Sequence, residues 1–185
     1  LLGVSMGGMV SQRLAATAPK RVRSLTSIMS SSGAPGLPGP SAEVNRGLLS
    51  RPASTNPADL AAHMQAQLAL LASPAFQQDR DHVYQRALAD VQRSYNPQGM
   101  VRQMLAVMAD TDRHTLLARI TCPTLVIHGT ADPLVPLACG EDTAKRIAGA
   151  RFEAIEGMGH DWPPAVIPRW LALLAVRSFG PAMLH

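Results

Sequence analysis

Apolar runs alternate with helical periodicities at both ends of this chain. Near the start, two leucines lead into a glycine-rich turn, and over residues 6–18 apolar side chains recur at helical spacing. Pro19 ends this predicted helix. The mostly uncharged stretch 22–29, with leucine, threonine and isoleucine, then predicts a short strand. The start of the chain therefore has the pattern strand, turn, helix, strand.

The same alternation returns from Cys122 and Pro123 onward. Residues 124–128 form an apolar run, which is typical of a strand buried on both faces. The pattern then predicts a turn over 129–133, a helix over 141–148, a strand over 151–155, a loop over 157–160 and an amphipathic helix over 168–177. Because strands that alternate with helices form parallel sheets, the two ends predict one α/β unit with a mostly parallel sheet.

The middle of the chain has a different texture. Residues 30–41 are rich in serine, glycine and proline and predict a loop, and no strand pattern follows until about residue 118. Helical patterns cover 44–49, 58–71, 75–94, 98–109 and 113–118. We expect Asn56 to cap the second of these, and Thr111 or Asp112 to cap the last. These patterns predict core segments at 1–32 and 116–185, with a helical cap inserted over 33–115.

Composition narrows the class of protein. Of 185 residues, 46% are hydrophobic and 16% are charged, which is typical of a globular domain with a sizeable core. No apolar run is long enough to span a membrane. The chain begins at Leu1, inside a motif, so we expect an N-terminal portion to be missing, and no signal peptide can be judged.

The net charge of +4 comes almost entirely from scattered arginines. Without a block of like charge or a basic patch interleaved with aromatic residues, we expect neither a nucleic-acid partner nor a membrane partner. Cys122 and Cys139 have no metal or redox spacing, and two unpaired thiols favour a reducing compartment, so we expect a cytoplasmic location. No metal or cofactor is expected.

A candidate nucleophile lies in the first turn. Gly3-Val4-Ser5-Met6-Gly7 has the pattern G-x-S-x-G between an apolar lead-in and a helix, which is the context of a nucleophile elbow. The turn is tight and strains its central residue, so we expect the positions two before and two after Ser5 to exclude bulk. Ser5 Oγ would then lie at the N-terminus of a helix, where free N–H groups favour negative charge.

A base and an acid follow at the ends of later strands. Asp132 comes just after strand 124–128, His160 just after strand 151–155, and Ser5 just after a predicted strand that ends at Leu2. Functional groups gather at the carboxyl ends of parallel strands, so these three side chains are expected at one sheet edge. Their chain order, Ser then Asp then His, is that of one class of catalytic triad.

Four stretches together resemble the α/β-hydrolase-fold superfamily. They are Gly3–Gly8, Cys122–Gly129, Ala131–Pro136 and Gly157–His160. The chain resembles the C-terminal part of such a protein with a helical cap, that is, a partial α/β-hydrolase fold whose N-terminal strands are missing. Within the family, the Pro-Thr-Leu-Val-Ile run and the Gly-Met-Gly-His-Asp loop are similar to serine esterases of the aclacinomycin methylesterase type.

The resemblance implies a role for each residue of the motifs. Ser5 would be the nucleophile, His160 the general base, Asp132 the residue that orients His160, and the backbone N–H of Met6 one oxyanion-hole donor. The second donor in this family comes from a loop after an early strand, which this chain lacks. Because losing one donor costs about a hundredfold in rate, we expect the chain alone to be inactive. Its exposed edge strand also predicts poor solubility.

Several residues have competing interpretations. Asp161 is an alternative acid, but a side chain adjacent to His160 usually points elsewhere, which favours Asp132. Asp110, Asp112 and His114 have the composition of a metal cluster, but their position before a short helix favours capping. His128, which ends a strand beside a glycine, is interpreted as structural.

The substrate is the least constrained part of the prediction. Met100, Met104 and Met108 form one helical stripe, which is typical either of packing within the cap or of an adaptable apolar lining for a substrate. Met104 and Trp162 are the candidate substrate contacts, and a small apolar ester is the expected ligand. The predicted activity is ester hydrolysis through an acyl-enzyme. A non-enzymatic binding protein on the same scaffold, and a C–C hydrolase or perhydrolase with the same triad, remain alternatives.

Overall fold

A parallel sheet of four strands forms the centre of the protein, as a computed structural model that describes residues 1–178 shows. The strands are β1 (Leu2–Val4), β2 (Leu25–Ile28), β3 (Thr124–Gly129) and β4 (Arg151–Ile155). They lie side by side in chain order, and every neighbouring pair is parallel. The predicted α/β unit with a parallel sheet is therefore confirmed, and the carboxyl ends of all four strands lie at one edge.

Helices connect and flank these strands within the described part of the chain. They are α1 (Met6–Thr17), α2 (Ala42–Leu48), α3 (Pro57–Leu71), α4 (Arg80–Arg93), α5 (Pro97–Ala109), α6 (Arg113–Leu116), α7 (Leu137–Arg146) and α8 (Ile167–Ser178). Short 3₁₀ turns occupy Pro19–Arg21, Leu117–Arg119 and Pro164–Val166. The predicted core segment 116–185 extends past the described residues, at 179–185.

Apolar side chains cover both faces of the sheet. On one face, Trp170 of α8 packs with Ile28, Ile127 and Met158, all of them buried. On the other face, Ala15 and Ala16 of α1 pack with a second buried group: Val22, Leu25, Leu117, Ile120 and Ile147. Successive residues of a strand point to opposite faces, which is why β2 supplies Leu25 to one group and Ile28 to the other. Burial on both faces explains the apolar run that marks β3.

Five helices, α2 to α6, lie between β2 and β3 in the chain, and the first four share one kind of start. Each of these four begins at a polar cap whose side chain accepts a backbone N–H three residues ahead; these caps are Ser41, Asn56, Asp79 and Asn96. Proline at the first position of α3 and α5 also favours a helix start, since its missing N–H needs no partner there. The helical texture predicted for the middle of the chain is therefore present, with the cap at Asn56 as expected.

Three predicted boundaries are wrong. The helix predicted from residue 75 begins at Arg80, because residues 73–78 contact the loop after β4 instead. The strand predicted from Val22 begins at Leu25, because the Val22 N–H bonds to Pro19 in the preceding turn. The helix predicted from residue 141 begins at Leu137, directly after Pro136.

The start of α6 also differs from the prediction. Neither Thr111 nor Asp112 caps it through a side chain, and Asp112 instead forms an ion pair with Arg13 of α1. Arg13 also pairs with Asp110, which in turn pairs with the buried Arg113. These carboxylates therefore hold the chain against α1 where it returns from the inserted helices to the sheet. The interpretation of these carboxylates as side-chain caps is therefore wrong. The described residues contain no group of side chains suited to a metal ion.

Candidate active site

The turn between β1 and α1 forms a nucleophile elbow. Ser5 has φ 52° and ψ −121°, a backbone conformation that residues other than glycine rarely adopt. Its N–H donates to the carbonyl of Ile28 at 2.9 Å, so the strained turn is anchored on the neighbouring strand. The strand extends to Val4 rather than ending at Leu2, so Ser5 follows β1 with no intervening residue.

The glycines around Ser5 differ in what they do. A Cβ at Gly3 would lie 2.1 Å from the carbonyl oxygen of Gly7, so no side chain fits there. A Cβ at Gly7 would meet nothing within 4 Å, and the expectation that this position excludes bulk is wrong for the described residues. Gly8 is the second tight position, because its Cβ would lie 2.6 Å from Cβ of Ser30. The helix therefore approaches β1 through the backbone of Gly7, and it approaches Ser30 and β2 at Gly8, whose Cβ would also lie 3.0 Å from Ser27 Oγ.

We expect Gly3→Ala and Gly7→Ala to have opposite effects on stability. The first forces the backbone of the elbow apart and should lower the free energy of unfolding by about 3 kcal/mol or more. The second replaces a glycine within a helix in open space and should raise it by about 0.5–1 kcal/mol. Urea unfolding of the two variants beside the parent tests this. Equal destabilisation by both would show that the space beside Gly7 is occupied.

Ser5, His160 and Asp132 form a continuous hydrogen-bond chain. His160 Nδ1 lies 2.7 Å from Asp132 Oδ2, and His160 Nε2 lies 2.9 Å from Ser5 Oγ. A carboxylate only accepts, so Nδ1 carries the proton of the neutral ring and Nε2 accepts the proton of the serine hydroxyl. The structure therefore brings the three predicted residues together in an arrangement that can deprotonate Ser5.

The carboxylate of Asp132 is held from several directions. Its Oδ1 accepts the backbone N–H groups of Leu134 and Val135 at 3.0 and 2.8 Å, which leaves Oδ2 for His160. Its side chain is fully buried, and His128 Nε2 lies 3.6 Å from Oδ2. Burial lowers the pKa of His128, so that ring stays neutral near pH 7 and adds no positive charge to compete for the carboxylate.

The loop that carries His160 is tied to the end of α3. The N–H of His160 donates to the carbonyl of Leu71 at 2.8 Å, and the N–H of Gly159 donates to Ser73 Oγ at 2.7 Å. Asp161 also belongs to this junction, because its carboxylate accepts from the N–H and hydroxyl of Ser73 and from Gln78 Nε2. Asp161 thus faces away from the His160 ring, as predicted for a neighbouring side chain. Sequence reasoning missed Ser73, for which the chain pattern holds no signal.

The backbone N–H of Met6 is available at the elbow. Met6 is the first residue of α1, and its N–H donates to no other described residue, as expected for the first N–H groups of a helix. It follows Ser5 directly and lies at the positive end of the helix dipole. This N–H can therefore stabilise a negative charge that develops next to Ser5 Oγ.

A cavity of about 660 Å³ lies between α3, α4 and the loop after β4. His160 and Trp162 both contribute to its wall, which is largely apolar. The polar side chains that also line it include Gln65, Gln77, Gln78, Arg80 and Arg86. The structure therefore brings Trp162 to a cavity that reaches the predicted base.

Met104 lies elsewhere. Its helix, α5, has no buried residue, and Met100, Met104 and Met108 are 65%, 47% and 68% exposed. The opposite side of α5 faces α1 across an open groove of about 900 Å³ whose wall includes Met6 and Met9 but not Met104. The methionine stripe therefore neither packs within the inserted helices nor lines either cavity among the described residues.

Comparison with known proteins gives a consistent result. A family model described as alpha/beta hydrolase fold matches residues 1–162. The chain is 31% identical over 169 residues to a pimeloyl-[acyl-carrier protein] methyl ester esterase of Neisseria meningitidis, covering 86% of this chain and 61% of the relative. It is 30% identical over 185 residues to a rhodomycin D methylesterase of Streptomyces, covering 90% and 62%. A solved hydrolase structure from Pseudomonas aeruginosa is 32% identical with a TM-score of 0.67, covering 98% of this chain and 64% of that one.

Two further observations concern the chain as a whole rather than the site. The chain spans about three fifths of the length of the curated relatives it matches (61% and 62%). In the part of the chain that the structure describes, no helix has both the length and the apolar character needed to cross a bilayer.

Proposed function

Because this chain belongs to the alpha/beta hydrolase fold family, we propose that it carries the catalytic residues of a serine hydrolase that acts on carboxylic esters. One observation carries the proposal: the unbroken hydrogen-bond chain from Ser5 through His160 to Asp132, with lengths of 2.9 and 2.7 Å. A serine hydroxyl becomes nucleophilic only with such a base, and the base needs such an orienting group.

In the proposed reaction, Ser5 Oγ attacks the ester carbonyl while His160 Nε2 takes its proton. The buried carboxylate of Asp132 stabilises the imidazolium that forms, and the N–H of Met6 donates to the oxyanion. His160 then gives the proton to the leaving alkoxide, and the alcohol departs from an acyl-enzyme. Water, deprotonated by His160, attacks this acyl group; the acid is released and Ser5 regains its proton.

The proposed substrate is an ester of a small alcohol with a larger, mainly apolar acid. Two relatives support this class, since both are named as esterases of methyl esters. The cavity beside His160 supports it too, because about 660 Å³ is ample for an apolar acyl group, with Trp162 as one wall. The amide and guanidinium groups that line part of the cavity suit polar atoms of that acid.

Covalent labelling tests the proposed nucleophile. We expect a fluorophosphonate to modify the full-length protein stoichiometrically, with peptide mapping placing the adduct on Ser5, and with hydrolysis of short-chain aryl esters lost in parallel. The reason is that the probe reacts with serines activated by a neighbouring base, and Ser11, a buried serine of α1, has no such partner among the described residues.

The matched control is Ser11→Ala, which should label as the parent does. Absence of an adduct, or an adduct on another serine, would reject the hydrolase and favour a protein that only binds its ligand.

A further inference from the structure

His128 has a contact that its interpretation as a structural residue does not require. It belongs to β3, four residues before Asp132, and its side chain is completely buried. Its Nε2 lies 2.7 Å from the backbone carbonyl of Val135, which can only accept, so this nitrogen carries the proton. The ring therefore donates to the turn that holds Asp132.

The rest of the His128 ring is enclosed by protein, and this burial is unfavourable for its second nitrogen. Its Nδ1 has no partner among the described residues, and a Cβ at position 140 would lie 2.3 Å from it, so α7 fits against the ring only because that residue is Gly140. A buried, unbonded ring nitrogen is unfavourable, and an aliphatic side chain would fill this space without it. What histidine supplies here, and an aliphatic residue does not, is the Nε2–H donor.

The bond to Val135 leads directly to the proposed active site. The carbonyl of Val135 accepts from His128, while the N–H of the same residue donates to Asp132 Oδ1 at 2.8 Å. The other oxygen of Asp132 accepts from His160. A displacement of Val135 would therefore rotate the carboxylate relative to the His160 ring.

We propose that His128 is a positioning residue, whose Nε2–H holds the turn 132–135 so that Asp132 Oδ2 faces His160. This inference rests on the proposed serine hydrolase function, but the hydrogen bond it concerns is measurable without any substrate. The effect of His128 is exerted through Asp132, since the ring touches neither Ser5 nor the cavity.

Two amide variants of His128 distinguish the effect of a hydrogen-bond donor at the position of Nε2 from the effect of filling the buried space. In His128→Gln, the side-chain Nε2 reaches about the place of the imidazole Nε2 and can donate to Val135. In His128→Asn, the amide is one methylene shorter and falls short of it. We expect kcat of the full-length protein for an aryl ester to fall about tenfold in His128→Asn with KM unchanged, and to stay within about threefold of the parent in His128→Gln.

Proton NMR provides the readout that is independent of turnover. The Nδ1 proton of His160, shared with Asp132, should give a downfield resonance in the parent and in His128→Gln, and this resonance should weaken or move upfield in His128→Asn. Thr143→Val is the stability control, because it removes a fully buried hydroxyl on α7 that, among the described residues, donates to the carbonyl of Cys139. It should lower the melting temperature without moving kcat or the resonance.

Equal behaviour of the two amide variants, or an unchanged resonance in His128→Asn, would overturn the positioning role. A parent protein that shows the downfield resonance but no fluorophosphonate adduct would instead reject the hydrolase function and leave the positioning role intact. If His128→Asn fails to fold, His128→Leu, which fills the volume without a donor, replaces it in the comparison.

Discussion

Replacing Ser5 by alanine should reduce kcat of the full-length protein for short-chain aryl esters by about 10⁵- to 10⁶-fold. The variant removes the atom that forms the acyl-enzyme, while His160 and Asp132 keep their mutual hydrogen bond of 2.7 Å. Alanine retains the Cβ of serine, so the strained backbone at φ 52° gains no new strain. Stability should therefore stay within about 0.5 kcal/mol of the parent.

The measurement is initial-rate kinetics beside circular dichroism and thermal unfolding. Ser11→Ala, which removes the hydroxyl of a buried serine within α1, should keep the parent's rate. A Ser5→Ala protein that is folded and hydrolyses the ester at a tenth of the parent rate or more contradicts the proposed mechanism.

Replacing Asp132 by asparagine should reduce kcat by about 10⁴-fold, the second largest effect. The amide carbonyl can still accept from Leu134 and Val135, so the turn keeps its shape. Its NH₂ group then faces His160 and donates to Nδ1, which forces the imidazole proton onto Nε2. In that tautomer the ring cannot accept the proton of Ser5, and the nucleophile is not activated.

Asp161→Asn is the matched control for this experiment. It makes the same chemical change one residue after His160, at a carboxylate that bonds to Ser73 and Gln78 instead of the ring. We expect a loss of less than about tenfold, because only the outer support of the loop is weakened. An equal or greater loss in Asp161→Asn than in Asp132→Asn would identify Asp161 as the acid.

The residues that face each other across the site were predictable because they follow from strand positions. Ser5 comes directly after β1, while Asp132 and His160 lie in the loops that follow β3 and β4, and parallel strands bring these loops to one edge. The need for glycine at position 3 was also predictable, because the residue that a Cβ there would meet, Gly7, lies only four positions away in the chain. For these features, spacing along the sequence contains the necessary geometry.

The features that failed depend on contacts between distant segments. The expected exclusion of bulk at Gly7 failed because no distant segment of the described chain lies within 4 Å of the place where its Cβ would be. The ion pairs of Asp110 and Asp112 depend on Arg13, about a hundred residues away. Sequence patterns report periodicity along one segment, so they predict that a residue is polar or apolar but not which distant partner it meets.

The placement of His128 illustrates a signal that the sequence contained only in part. A polar side chain in an otherwise apolar strand needs a buried hydrogen-bond partner, and Val135 is that partner. The sequence contained the requirement for a partner, while the identity of that partner required the conformation of the turn after β3.

The junction between α3 and the loop after β4 determines whether the inserted helices can be exchanged independently of the rest of the chain. Leu71 and Ser73 bond directly to the backbone of the loop that presents His160, at 2.8 and 2.7 Å. The helices that enclose the cavity and the loop that carries His160 are therefore directly linked through the backbone. A chimaera that exchanges only the inserted helices for those of a relative will misalign His160 unless residues 71–78 and 157–161 are transplanted together.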